Sequence, residues 1–347
     1  MKRVYLDWNA TAPLRPEARA AMISAMDGIG NPSSVHEEGR AAKRIVETAR
    51  GEVARAFGAE GADVVFVSGA TEAAALACAE RGLVGADIEH DAVAAWIDLA
   101  LGVDEDGRVA VDEPGRTALQ AANSETGVVQ ELPEGLAVVD ATQAFGKLPV
   151  AFNWMGCGMA LISAHKIGGP KGVGALVMKR GTDLAARIRG GGQEMGRRSG
   201  TENVIGIAGF GAAAAAAARD LDDGVWTRVE KLRRILESSI AELGNEIIFV
   251  GNGARRLPNT SCFAVPGWKG ETQVMQMDLA GFAISAGSAC SSGKVRESRV
   301  LRAMGFDAAT ASGAIRVSLG PETEEEDVQR FVEAWARQYR KFRAKAA

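Results

Sequence analysis

The sequence is poor in the residues that cross-link small proteins or bind structural metals. Its 347 residues include four cysteines and three histidines. Cys78, Cys157, Cys262 and Cys290 form no C-x-x-C pair, which excludes a disulfide framework and zinc-finger spacing and leaves no metal site expected. Unpaired thiols fit a reducing compartment, so the cytoplasm is the expected location. An excess of basic charge is also missing: 40 Lys and Arg stand against 44 Asp and Glu, a net charge of -4. That balance offers no general attraction for nucleic acid or for an acidic membrane surface, and neither is expected as a partner. The opening MKRVYLDWNATAP reaches Asp7 and Asn9 before an apolar stretch of signal-peptide length can form, so no export signal is expected. The apolar run through Ile207 to Ala218 is mostly Ala and Gly and falls short of the roughly 20 residues of a membrane span. It predicts a tightly packed buried helix.

What is present is ordinary for a soluble protein: 47% apolar and 24% charged residues, in a chain long enough for about two domains. The runs ADVVFV (62–67), LAVVDA (136–141), MALISA (159–164) and VGALVM (173–178) read as buried strands. Helical patterns cover 16–26, 37–57, 71–81, 205–221 and 226–243. Strand and helix in alternation imply an α/β unit with a mainly parallel sheet covered on both faces. The style changes near Asn245, where EIIFVGNG, TSCFAVPG and IRVSLGP alternate with shorter helices. This predicts a large unit over 16–248 and a small α+β unit made from 1–15 and 249–347. Five basic residues between Arg337 and Lys345 lie on an amphipathic pattern, read as a solvated helix face or a docking site for an acidic partner.

Ligands of open parallel sheets bind beyond the carboxyl ends of the strands, so the residues there carry the functional reading. VVFV is followed by Ser68-Gly69-Ala70-Thr71-Glu72 and a helix, which offers N–H groups and a hydroxyl to an anion such as phosphate; an ordinary helix cap explains it equally well. LAVV ends in Asp140, a carboxylate that needs a partner. MALISA ends in His165-Lys166 before a glycine-rich loop, and a lysine confined there can act as a nucleophile. Together the three suggest pyridoxal phosphate (PLP): lysine for the Schiff base, carboxylate for the pyridinium nitrogen, helix N-terminus for the phosphate.

Longer motifs carry a resemblance. YLDWNATAP, GNPSSVH, VFVSGATE, the Glu89-His90 pair, NSETGVVQ, VDATQAFGKLPV, SAHKIGGPKGVGAL, GGGQEMGRRSGTEN, SAGSACSSG and IRVSLG run in family order across nearly the whole chain. The sequence resembles the class V aminotransferase group of fold-type I PLP enzymes, and within it the cysteine desulfurases of the nitrogenase and iron–sulfur-assembly type. The resemblance implies a large domain with a mainly parallel seven-stranded sheet and a small α+β domain carrying the cysteine loop. It implies that Lys166 holds the cofactor, Asp140 pairs with the pyridine nitrogen, Gln143 bonds the phenolic oxygen and His90 stacks on the ring. Ala70, Thr71, Ser163 and His165 would take the phosphate, with Thr201 arriving from the neighbouring subunit of a homodimer. Arg316 would grip the α-carboxylate of L-cysteine, with Asn31 and Ser124 also at the substrate. Cys290 would take the sulfur as a persulfide, release L-alanine and pass the sulfur to an acceptor protein. A selenocysteine lyase or other β-eliminating enzyme, and a non-catalytic scaffold, are the alternatives on the same fold. The chain departs from the family pattern at Ser124, where a second asparagine is usual, and at Ala74 and Ala75, where an asparagine is common. The stretches 77–90 and 91–123 are also short for the family.

Overall fold

The computed structural model describes residues 3–287 and 297–346. The chain enters on a short strand, β1 (Val4–Tyr5), then builds the larger unit from β2 (Asp63–Val67), β3 (Val84–Ala86), β4 (Asp98–Leu101), β5 (Ala118–Gln120), β6 (Val138–Asp140), β7 (Met159–Ser163) and β8 (Gly174–Met178). The smaller unit adds β9 (Ile248–Phe249), β10 (Thr260–Ala264), β11 (Phe282–Ala283), β12 (Ser285–Ala286) and β13 (Ala314–Ser318). Five strands of the large sheet pair in the order β2-β8-β7-β6-β5, and a bridge between Val84 and Thr117 extends it to the pair β3-β4, seven strands in all.

Direction in this sheet decides where the chemistry lies. β5, β6 and β7 are parallel, and β3 joins them through its parallel bridge. β8 runs antiparallel to β7 because only ten residues, 164–173, connect the two, too few for a crossover helix. β2 is antiparallel to β8 and therefore points with the rest. The carboxyl ends of β2, β3, β5, β6 and β7 thus share one edge.

The helix Val204–Asp222 is long and apolar enough to cross a membrane by composition, but Ile207, Phe210, Ala213, Ala214 and Ala217 are buried in the main core. Its small residues allow a close approach to the helix Glu37–Ala56: a Cβ on Gly211 would sit 2.7 Å from the Cα of Ala49. Burial of this stripe draws its stability from tertiary contact rather than from helix propensity.

A second core gathers Val4 and Leu6 of the N-terminal arm with β10, β13 and the terminal helix Glu325–Ala346. The arm also pairs through β1 with β11. The helix Val225–Ala241 belongs to the same core through Trp226, Val229, Leu232, Leu236 and Ile240. Its apolar stripe faces the terminal helix and β10. Trp335 centres this core, fully buried, with Phe263 at 5.4 Å, Trp268 at 5.3 Å and Tyr339 stacked at 5.1 Å between ring centroids. The basic side chains from Arg337 to Lys345 lie on the exposed face of the terminal helix. Replacing Trp335 with alanine is expected to destabilise the chain by about 3–5 kcal/mol, read from urea denaturation.

Candidate active site

At the shared strand edge lies a cavity of about 550 Å³, within the range of small-molecule sites. Lys166 reaches it from a single 3-10 turn, Ala164–Lys166, placed directly after β7. Its Nζ donates to the carbonyl oxygens of Asn9 at 2.7 Å and Ala10 at 2.9 Å. Asp140 is the last residue of β6 and lines the same cavity, with Oδ1 accepting from the Thr142 N–H at 2.9 Å. Gln143 follows in the next turn, with its Nε2 donating to the Asn9 carbonyl at 3.0 Å.

His90 leaves the end of β3 and caps the four-residue helix Asp91–Ala94, its Nδ1 accepting from the Ala92 N–H at 3.1 Å. That bond places the proton of the neutral ring on Nε2. Glu89, just before it, is fully buried; it accepts from the Gln120 N–H through Oε1, and desolvation pushes its carboxyl well above the ordinary range.

The opposite end of the cavity is built for an anion. No side chain caps the helix Ala70–Cys78, so its leading N–H groups meet the cavity beside Thr71, Ser163 and His165. The preceding turn lies close on β8: a Cβ on Gly174 would stand 2.8 Å from the Cα of Gly69. His165 sits near Thr11, with Nδ1 3.2 Å from Oγ1. Desolvation, followed by the charges of Lys166 and Lys171, lowers its pKa to about 4. It therefore works at neutral pH as an uncharged imidazole. Thr142 Oγ1, buried on the cavity wall, has no partner among the described residues, so a polar ligand has a hydroxyl to engage.

A second chamber of about 390 Å³ adjoins the first and shares Ala10, His90, Ser124 and Lys166 with it. Arg316, from the middle of β13, lies on its wall, donating from Nη1 to the Ser124 carbonyl at 2.9 Å and from Nη2 to Asp7 Oδ1 at 2.6 Å. Its Nε is buried without a partner among the described residues. Gly287 and Glu297, the residues on either side of the undescribed segment, also line this chamber. Cys290 itself lies outside the described residues. Burial pushes the thiols of Cys78 and Cys157 up to about 12 and about 11 and that of Cys262 well above its usual value, which makes all three poor nucleophiles.

Ala70, Thr71, His90, Ser124, Asp140, Gln143, Ser163, His165 and Lys166 thus meet in one cavity, with Arg316 in the adjoining one. Asn31 and Thr201 are exposed on the single chain and line neither chamber. They sit on two loops joined by a hydrogen bond from Gln193 Nε2 to Ser33 Oγ at 3.4 Å. The second loop is anchored by Glu194, whose left-handed φ of 49° is held by a bidentate pair with Arg50 at 2.8 and 3.0 Å. Sequence reading missed Asn9, Lys147 and Asp7. Asp7 and Asn9 stand in YLDWNATAP and Lys147 in VDATQAFGKLPV, but what each does appears only with partners that folding brings in from more than a hundred residues away.

The family model for "Aminotransferase class-V" matches residues 4–331. The chain belongs to the class V aminotransferase family. Among its relatives in that family, a protein named "Cysteine desulfurase" from Cereibacter sphaeroides is 41% identical, covering 96% of this chain and 95% of that one. The structure of a NifS-like protein from Rickettsia africae superposes with a TM-score of 0.87 at 31% identity, over 97% of this chain and 99% of the other. A structure described as "SspA in complex with cysteine" gives 0.74 at 27% identity, over 92% and 100% of the two chains. The class V fold therefore accounts for the arrangement of both chambers.

The neutral His165 sets an acid limit on stability. Below pH 6.5 the unfolded chain takes up a proton that the folded chain refuses until about pH 4, so this contribution is complete above 6.5 and is lost as pH falls through that window. Urea midpoints measured from pH 7 to 4 should fall more steeply for the natural chain than for His165→Asn. Parallel curves would contradict the assignment.

Proposed function

We propose that this chain is a PLP-dependent cysteine desulfurase that converts L-cysteine to L-alanine and moves the sulfur to Cys290. One observation carries the reading: Lys166 stands where the cavity headed by the uncapped helix N-terminus meets the chamber that holds Arg316 and both described ends of the Cys290 segment. The name of the Cereibacter sphaeroides relative supports the same activity, and the complex of SspA with cysteine supports the same substrate.

PLP fits the donor set of the larger cavity. Lys166 Nζ would hold the aldehyde carbon, Asp140 the pyridine nitrogen and Gln143 Nε2 the ring oxygen. Ala70, Thr71, Ser163 and His165 would take the phosphate, and His90 would lie against the ring. When bound, the cofactor supplies an electron sink for the bonds at the substrate Cα. Arg316 receives the α-carboxylate, the planar match of guanidinium to carboxylate orienting the substrate. Lys166 Nζ would accept the Cα proton of the substrate. The Cys290 thiolate attacks the substrate sulfur; the Cβ–S bond breaks as the S–S bond forms, and the carbon skeleton leaves as alanine after taking protons. In sum L-cysteine and one Cys290 thiol give L-alanine and one Cys290 persulfide.

A homodimer would bring Thr201 to the phosphate and Asn31 toward the substrate. Exposed Ile23, Met26, Ile29 and Val35, up to 90% accessible on the single chain, support such an interface. A protein acceptor would then collect the sulfur. The cytoplasm suits this chemistry, since a persulfide carrier needs a reducing compartment.

Mass spectrometry after incubation with L-cysteine should find one added sulfur on the peptide containing Cys290. Cys290→Ala should retain the visible absorbance of bound cofactor and lose alanine release at least about a hundredfold. Undiminished alanine from that variant would sink the assignment. Lys166→Ala should leave no cofactor attached after borohydride reduction. Arg316→Lys should raise KM for L-cysteine by about ten- to a hundredfold with a smaller change in kcat, as expected for a lost charged hydrogen bond.

A further inference from the structure

Lys147 is a buried amine that the proposed reaction does not use. Its side chain is 2% exposed, and Nζ donates to Gln143 Oε1 at 2.6 Å and to Asn9 Oδ1 at 3.0 Å. No carboxylate is among these partners. An ammonium ion buried against two neutral oxygens is unfavourable, and desolvation together with the charges of Lys166 and Arg316 lowers its pKa well below the usual value. The neutral amine has two N–H bonds for two acceptors, so the geometry suits the uncharged form.

The Asn9 carbonyl can only accept, so the Gln143 atom 3.0 Å from it is the amide nitrogen, and the atom 2.6 Å from Lys147 Nζ is the amide oxygen, to which Lys147 donates. The NH2 of Gln143 then faces the Asn9 carbonyl, at 3.0 Å, and keeps a second proton for an acceptor in the cavity that Gln143 lines. The Ser124 carbonyl, which accepts from Asn9 Nδ2 at 3.1 Å, orients Asn9 in the same way. Its Oδ1 accepts from Lys147, its Nδ2 donates to Thr260 Oγ1 at 2.8 Å, and its carbonyl accepts from Lys166 at 2.7 Å. The two bonds of Lys147 therefore fix the polarity of one cavity wall and the seat of the lysine.

We propose that Lys147 is a positioning residue: it locks Gln143 as a donor toward an anionic oxygen of the ligand and holds the Asn9 carbonyl on Lys166. The choice of that oxygen as the ligand's ring oxygen rests on the PLP reading; the locking of Gln143 and Asn9 does not.

Two experiments test it. In a crystal structure of the ligand-free Lys147→Met chain, Gln143 should leave the Asn9 carbonyl; unchanged Gln143 and Asn9 would overturn the inference. In the second, ligand-free chains are titrated with PLP by visible absorbance. Lys147→Met and Gln143→Ala should each weaken binding about tenfold, the value of one lost hydrogen bond, and the double variant should be no weaker than about tenfold. A hundredfold loss in the double variant would show the two acting separately and would overturn the proposal. Gln143→Glu keeps the shape and does not depend on Lys147→Met folding. It should bind PLP more weakly than Gln143→Ala, because an oxygen replaces the donor; binding equal to the natural chain would also overturn it. A natural chain that takes up no PLP refutes the cofactor reading, and the ligand-free crystal structure then decides the role of Lys147 alone.

Discussion

The structure turns on Asn9. It is 1% exposed, and each of its polar groups is engaged. Its N–H donates to Ser318 Oγ, its side-chain amide donates to Thr260 and to the Ser124 carbonyl, and its Oδ1 accepts from Asn259 and Lys147. Its carbonyl accepts from both Lys166 and Gln143. Ser318, Thr260 and Asn259 belong to the small unit, whereas Lys166, Gln143 and Lys147 belong to the large one. One residue of the N-terminal arm therefore ties the two units together at the point where the reactive lysine sits. A buried polar network of this kind is favourable only when every member is satisfied, which makes it intolerant of substitution and gives the site a single geometry.

Around that hub the electrostatics favour anionic ligands. Lys166 and Lys171 border the larger cavity and Arg316 the smaller. Two nearby carboxyl groups, Glu89 and Glu125, are buried, and desolvation raises the pKa of both, which weakens their opposing charge. His165 is driven neutral by burial and by the same lysines, so it supplies a hydrogen-bonding group without adding to the repulsion. The helix Ala70–Cys78 adds its dipole at the far end. A phosphate at one end and a carboxylate at the other match this field.

Much of this was legible in the residues. The strand runs ending in Asp140 and Ser163, and the turn before Ala70, were readable because a buried parallel strand is a short apolar run with polar residues at its end. Lys166 and Arg316 stand in motifs whose local pattern is distinctive. The reversed β8 was less plain, since VGALVM has the same apolar pattern in either direction. The helix Val225–Ala241 carries an amphipathic stripe that fits either core, and only its neighbours decide which. Asn31 and Thr201 stand in motifs as clear as the others, yet on one chain they lie on the surface.

By itself the sequence determined the layered α/β architecture and the reactive groups at its strand ends, because apolar periodicity and local turn chemistry act over a few residues. Only the tertiary structure decided that Asn9 joins Lys166 to Lys147, that Asp7 pairs with Arg316, and that Lys166 lines both chambers. Those relations join residues more than a hundred positions apart. Burial makes them strong by removing the water that would otherwise satisfy each group separately.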